Sequence, residues 1–302
     1  MRVAFLADGS LGAAALAFLA SSGSLAGAAW GPSDPACRDW AERACGTAGL
    51  GFRAVTTAAD LQPWLEALRP DLAFAFGCPW KLGAEVLAQP RLGWINLHGG
   101  PLPAYRGPQP VFWQIRNGET ASALVAHRMD SGFDSGPILA TLPIPLPPGC
   151  THGALTQVLA QAAPALLDQV LRGFAAQGDG YLDGARPQGE GRTWPRPGPE
   201  DVRIDWAGMD SEDILALARA CNPWNAGAWT LLQGQPCRLV EGSPAGPAEG
   251  PPGQVQTLAD GGLAVACRDG VALRLEILRL EEGFCTGAGL RAFGVGPGAR
   301  FG

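Results

Sequence analysis

Short apolar runs alternate with amphipathic stretches through the first half of the chain. The runs at residues 3–7, 52–55, 72–76, 94–97, 123–127 and 137–142 are short and separated by turn-forming residues, which predicts strands. Helical spacing occupies residues 11–20, 35–45, 60–68 and 110–116. The β-α-β order predicts a doubly wound, mostly parallel α/β sheet. Residues 151–176 then read as one long helix, with Leu155, Leu159, Leu166 and Val170 at core spacing. His152, at its start, is expected to be exposed or a local cap partner.

From residue 178 the pattern changes. Residues 178–201 are rich in Gly, Pro and Arg without apolar periodicity, which marks a domain boundary. Residues 211–220 carry a helix start and apolar spacing. Residues 228–232, 237–240, 253–257, 263–267 and 271–279 read as short strands between Gly/Pro turns, the pattern of a small β-barrel. The expected organisation is a catalytic domain over residues 1–183, a linker over 184–203 and a barrel domain over 204–302.

Composition narrows the class. Hydrophobic residues make up 47% of the 302, enough for buried cores. No run reaches the ~20 apolar residues of a spanning helix, so no membrane partner is expected. The N-terminus mimics an export signal, but Asp8-Gly9-Ser10 interrupts the apolar run and a strand-turn-helix fits better. The same segment lacks the G-x-G-x-x-G spacing of a dinucleotide site. Eight cysteines are scattered, with no C-x-x-C pair and no histidine at ligand spacing, so neither a metal site nor a disulfide framework is expected. A cytoplasmic setting follows.

The candidate chemistry lies at the end of the strand over residues 94–97. Asn96 and His98 are two residues apart and project from one face of an extended chain. Gly99, Gly100, Pro101 and Pro103 then force an irregular loop. A polar pair at the mouth of a buried strand, covered by such a loop, is how open α/β sheets build active sites. Two carboxylates follow. Asp130 sits nearer the apolar strand and has the character of a turn former, and Asp134 lies four residues on.

These residues resemble the folate-dependent formyltransferases. That family pairs an Asn-x-His strand end with a Leu-Pro-x-Tyr-Arg-Gly loop and a later Asp-Thr-Gly-Pro-type segment. The matching positions are Asn96, His98, Leu102-Pro103, Tyr105-Arg106-Gly107 and Asp134-Ser135-Gly136-Pro137. Pro199-Glu200-Asp201, Ile204-Asp205-Trp206 and Asn222-Pro223-Trp224 resemble signatures of the methionyl-tRNA formyltransferase branch. The resemblance covers most of the chain. It implies a Rossmann-like domain followed by an OB-like barrel, and an enzyme that moves a formyl group from 10-formyltetrahydrofolate to an amine without a metal.

It also implies the roles. Transfer passes through a tetrahedral state bearing an oxyanion, to which Asn96 and His98 would donate. Asp134 matches the family's carboxylate; it would orient His98, raise its pKa and take the amine's proton. Trp80, Lys81, Leu82, Gly100, Pro101, Leu102, Pro103 and Phe133 are the implied folate pocket, largely through backbone groups. Pro79-Trp80 and Gly99-Gly100-Pro101 depart from the family's usual residues, and Trp80 reads equally well as a core plug.

The acceptor is read from charge. Binding tRNA requires phosphate neutralisation, whereas this chain has net charge −6. The basic insertion that follows the second strand in tRNA-formylating relatives is replaced by a short, mixed-charge stretch at residues 31–43. A small-molecule amine (an amino sugar, amino acid or peptide intermediate) is therefore the expected acceptor, with initiator methionyl-tRNA the main rival. A formyltetrahydrofolate hydrolase and an idle folate-binding protein are the remaining alternatives.

Overall fold

The computed structural model describes Met1–Gly302, and its contacts divide the chain into two units. The first comprises Met1–Pro110, Ala121–Leu146 and Thr156–Pro195; the second comprises Val111–Thr120, Pro147–Leu155 and Arg196–Gly302.

The chain opens as β1 (Val3–Ala7), α1 (Ala13–Ser21), β2 (Leu25–Trp30), α2 (Pro35–Thr47) and β3 (Gly51–Ala54). It continues as α3 (Leu61–Leu68), β4 (Leu72–Phe76), α4 (Ala84–Ala88) and β5 (Trp94–His98). After α5 (Pro110–Arg116) come β6 (Ala121–Arg128), β7 (Ile138–Pro145) and the long α6 (His152–Gln177). The sheet order is β3-β2-β1-β4-β5-β6-β7. Strands β1 to β5 are parallel, while β6 and β7 run antiparallel to their neighbours. The order reverses between β1 and β4, so the loops at the carboxyl ends of the central strands diverge and leave a crevice.

Why these segments form strands is visible in their burial. Every residue of β1 and β4 is buried, and both read as unbroken apolar runs, as strands covered on both faces do. Helix α2 starts where Asp34 accepts from Cys37 N at 3.0 Å and Pro35 takes the first turn, where its missing N–H costs nothing. Strand β2 was not expected from the sequence. Leu-Ala-Gly-Ala-Ala-Trp lacks β-branched residues, and its place between β1 and β3 overrides that weak local preference.

Residues 184–195, expected as linker, belong to the first unit. Their backbone is taken up by the loops of that unit: Trp194 N donates to Arg106 O at 2.8 Å, and Arg192 N to Pro103 O at 3.1 Å. Gly107, at φ 113°, sits so close to this segment that an added Cβ would lie 2.2 Å from Trp194 O.

In the second unit, α7 (Ser211–Ala220) precedes β8 (Ala228–Leu232), β9 (Gln235–Pro247), β10 (Val255–Thr257), β11 (Leu263–Ala266), β12 (Val271–Leu280) and β13 (Gly283–Thr286). Their order is β10-β11-β12-β9-β8, antiparallel throughout, with β13 also on β12. Residues 299–302 join the two outer strands. Val255 N donates to Ala299 O, while Leu231 and Gly302 exchange N–H···O bonds, each 2.9 Å. The sheet thereby closes on itself and keeps no open edge there. His152 is neither fully exposed nor a plain cap. Its ring stacks on Trp224 at 5.9 Å, and burial pushes its pKa down to about 4.

Phe74 is 0% exposed in the middle of β4. Phe74→Ala is expected to lower unfolding free energy by about 3–5 kcal/mol, seen as an earlier urea midpoint at unchanged m-value.

Candidate active site

Asn96 and His98 stand on one face at the end of β5, and the antiparallel pairing with β6 sets His127 directly opposite Asn96. Asp134 reaches the same point from the loop between β6 and β7. Its Oδ1 accepts from Asn96 Nδ2 at 3.1 Å and lies 3.3 Å from His127 Nε2. Its Oδ2 accepts from Gly107 N at 3.0 Å and lies 3.5 Å from His98 Nδ1. His98 Nε2 donates to Tyr105 O at 2.6 Å, and His127 Nδ1 donates to Arg128 O at 2.9 Å. The Asn96 amide also lies 3.2 Å from His127 Nε2. Amide, two imidazoles and carboxylate therefore form one connected cluster.

Burial alone would raise the pKa of Asp134. The two histidines and the Gly107 N–H outweigh it and hold the carboxyl well below the usual carboxylate range. Burial also dominates at His98, pushing its pKa below the ordinary value; the attraction of Asp134 opposes this without overcoming it. The expectation that Asp134 would leave His98 with a raised pKa is thus reversed by desolvation. At neutral pH the pair is a neutral imidazole beside an ionised carboxylate. Because Nε2–H is committed to Tyr105, Nδ1 turns its lone pair toward Asp134.

The rival carboxylate, Asp130, is engaged in its own turn, accepting from Gly132 N and Ser135 Oγ at 2.9 Å each. Of the residues expected around folate, Leu82 is 3% exposed and sits in the core beneath β4, with Trp80 packed against the same cluster. Trp80 is half-buried, with part of its side chain against that core. Leu102 packs on Ala123, Val125 and Ile138. Phe133 is exposed, and Lys81 Nζ lies 5.3 Å from its ring centroid, so the loops after β4 and β6 meet there. Gly100, Pro101 and Pro103 lie on the loop that follows His98.

Sequence reading gave no role to His127 or Gln188. His127 is one of only three histidines and ends an apolar strand, a signal that was available. Its placement opposite Asn96 depends on register and was not.

The chain matches the family model "Formyl transferase" over residues 42–171 and "Formyl transferase, C-terminal domain" over residues 198–286. It is 35% identical over 256 residues to a methionyl-tRNA formyltransferase of Chloroflexus aurantiacus, covering 81% of each chain. The fold is shared with HypX from Aquifex aeolicus, solved in complex with tetrahydrofolic acid (TM-score 0.67, 22% identity, 98% of this chain). This chain spans about half of that protein, 48% of its length. The fold is also that of an N-formyltransferase from Helicobacter canadensis, solved with folinic acid and dTDP-3-aminofucose (TM-score 0.67, 13% identity, 91% and 98% covered). A Rossmann-like sheet joined to a smaller antiparallel domain is thus the fold of formyl-transferring enzymes. The chain belongs to the formyl transferase family.

The depressed pKa values give pH dependence a definite sign. Below the ordinary histidine value of 6.5 the unfolded chain binds a proton that folded His98 refuses, so stability falls with falling pH. The Asp134 contribution is present above its unfolded value of 3.8 and is lost as pH drops toward its folded value. Melting temperature measured from pH 8 to pH 4 should decline, and His98→Asn should make the limb between pH 6.5 and 5 shallower, leaving the part that buried His152 contributes with the same sign.

Proposed function

We propose that this enzyme transfers a formyl group from 10-formyltetrahydrofolate to the primary amine of a small molecule. The observation that carries the reading is the convergence of Asn96 and His98 with Asp134, which is 38 residues from Asn96 in sequence. The donor suits the nearby loops. Exposed Phe133 offers a flat face and Lys81 an ammonium, the partners an aromatic ring bearing carboxylates requires.

Formyl transfer to an amine develops negative charge on the carbonyl oxygen and releases a proton from nitrogen. Asn96 supplies the amide N–H for the oxygen, turning it from Asp134 or His127 as charge develops. His98 Nδ1, without a hydrogen at rest, and Asp134 Oδ2 beside it take the released proton and pass it to N10 of the folate as the C–N10 bond breaks, leaving the formylated amine, tetrahydrofolate and the resting pair. A neutral, desolvated His98 next to a carboxylate is a base before it is a donor. Asp134 stabilises the imidazolium once it forms.

Charge supports the small acceptor. The second unit holds ten arginines against fourteen aspartates and glutamates, a balance that repels phosphate chains. The fold is one that an N-formyltransferase solved with dTDP-3-aminofucose also has. Methionyl-tRNA is the second reading, favoured by the 35% identity to an enzyme of that name.

Two experiments decide. With 10-formyltetrahydrofolate as donor, amino sugars and amino acids should be formylated faster than methionyl-tRNA at moderate salt; tRNA turnover matching the best small amine overturns the acceptor. Asp134→Asn should lower turnover by about 10²–10⁴ in protein that stays folded at the assay temperature, and Asp130→Asn should retain most activity. The opposite ranking would place the chemistry on Asp130.

A further inference from the structure

Residues 186–194 form a strap across both loops that carry the cluster. Arg186 exchanges N–H···O bonds of 2.8 Å with Ile138, at the start of β7. Further along, Arg106 N donates to Arg192 O at 3.1 Å, beside the contacts of Arg192 and Trp194 already described. Gln188 lies between these two anchorages. Its Nε2 donates to the main-chain carbonyls of Asp134 at 2.8 Å and Gly136 at 2.7 Å, and its Oε1 accepts from Arg106 Nε at 3.0 Å. Both amide hydrogens and the amide oxygen are therefore committed, all to the two loops that meet at the carboxylate.

Asp134 has a backbone conformation that needs such support. Its φ is 50°, in the left-handed region, which non-glycine residues hold only where the surroundings over-determine it. Two residues on, the loop is packed tightly against its neighbour. At Gly136 the chain runs so close to β6 that an added Cβ would lie 1.9 Å from Arg128 O. From this conformation Asp134 Oδ2 reaches Gly107 N and Oδ1 reaches Asn96.

We infer that Gln188 is a positioning residue: through the Asp134 carbonyl it fixes the backbone that aims the carboxylate at Asn96, His98 and Gly107. Its relevance to turnover rests on the reading of Asp134 as the reaction's carboxylate, but its effect on geometry does not. Gln188→Met removes the donors and the acceptor at similar volume. Gln188→Glu keeps the acceptor for Arg106 and sets a carboxylate oxygen against two carbonyls.

The test is amide hydrogen exchange followed by NMR on the full chain. Gly107 is the reporter, because its buried N–H is held by Asp134 Oδ2; Ala75 in β4 is the control, and Asp134→Ala is the benchmark. In both Gln188 variants Gly107 exchange should rise about tenfold or more, toward the Asp134→Ala rate, while Ala75 stays within about twofold. If Gln188→Met does not fold, Gln188→Glu decides alone. Native-like Gly107 exchange overturns the inference, and so does a parallel rise at Ala75, which would make Gln188 a general stabiliser. Full turnover in Asp134→Asn would instead remove the proposed function and leave this result standing.

Discussion

An ionised carboxylate that is only 16% exposed has lost most of its water, and several kcal/mol of hydration must be replaced by fixed partners. At Asp134 those partners come from three separate elements. β5 contributes the Asn96 amide and the loop after β5 the Gly107 N–H as donors, while the imidazoles of His98 on β5 and His127 on β6 stand beside the two oxygens and favour the charge whenever they carry a proton there. None of them reaches the carboxylate unless strand register, loop path and backbone conformation are all correct together. The same burial that makes the carboxylate demanding also lowers the His98 pKa, so charge and neutrality sit side by side at one point in the fold.

The sheet explains how such a cluster is held. Five parallel strands, with β1 and β4 at their centre buried on both faces, form a stiff floor that ends at the crevice. The antiparallel turn into β6 then does something a sixth parallel strand would not. It pairs His127 with Asn96 directly, and it returns the chain to the crevice so that Asp134 arrives from the far side. A register shift between Ala126 and His127 on the β7 side marks the place where the regular ladder gives way to the site.

Much of this was legible in the sequence, for definite reasons. Asn96 and His98 follow from period-2 geometry at the end of an apolar run, and the β-α-β order follows from run lengths and turn residues. Strand β2 was not legible, because a Leu/Ala/Gly segment carries little local preference and becomes a strand only through its neighbours. His127 was named at the end of a strand without a role, since cross-strand partners are set by pairing rather than by spacing. The strap at residues 186–194 read as linker because segments held by main-chain bonds to loops leave no periodic signature. The His98 pKa went the other way from expectation because sequence shows the nearby charge and conceals the burial.

The strap also orders events in time. On the ribosome the strands β1 to β5 emerge first, and Gln188 emerges 92 residues after Asn96, beyond the whole of α6. Contacts separated by so much chain close late and slowly, because a long loop must be ordered before they form. A chain that ends at α6 contains every side-chain partner of Asp134 but lacks the Gln188 bonds to the main chain of its loop. The main-chain support of the Asp134 loop is thus a property of the finished first unit, completed after the sheet on which the loop sits.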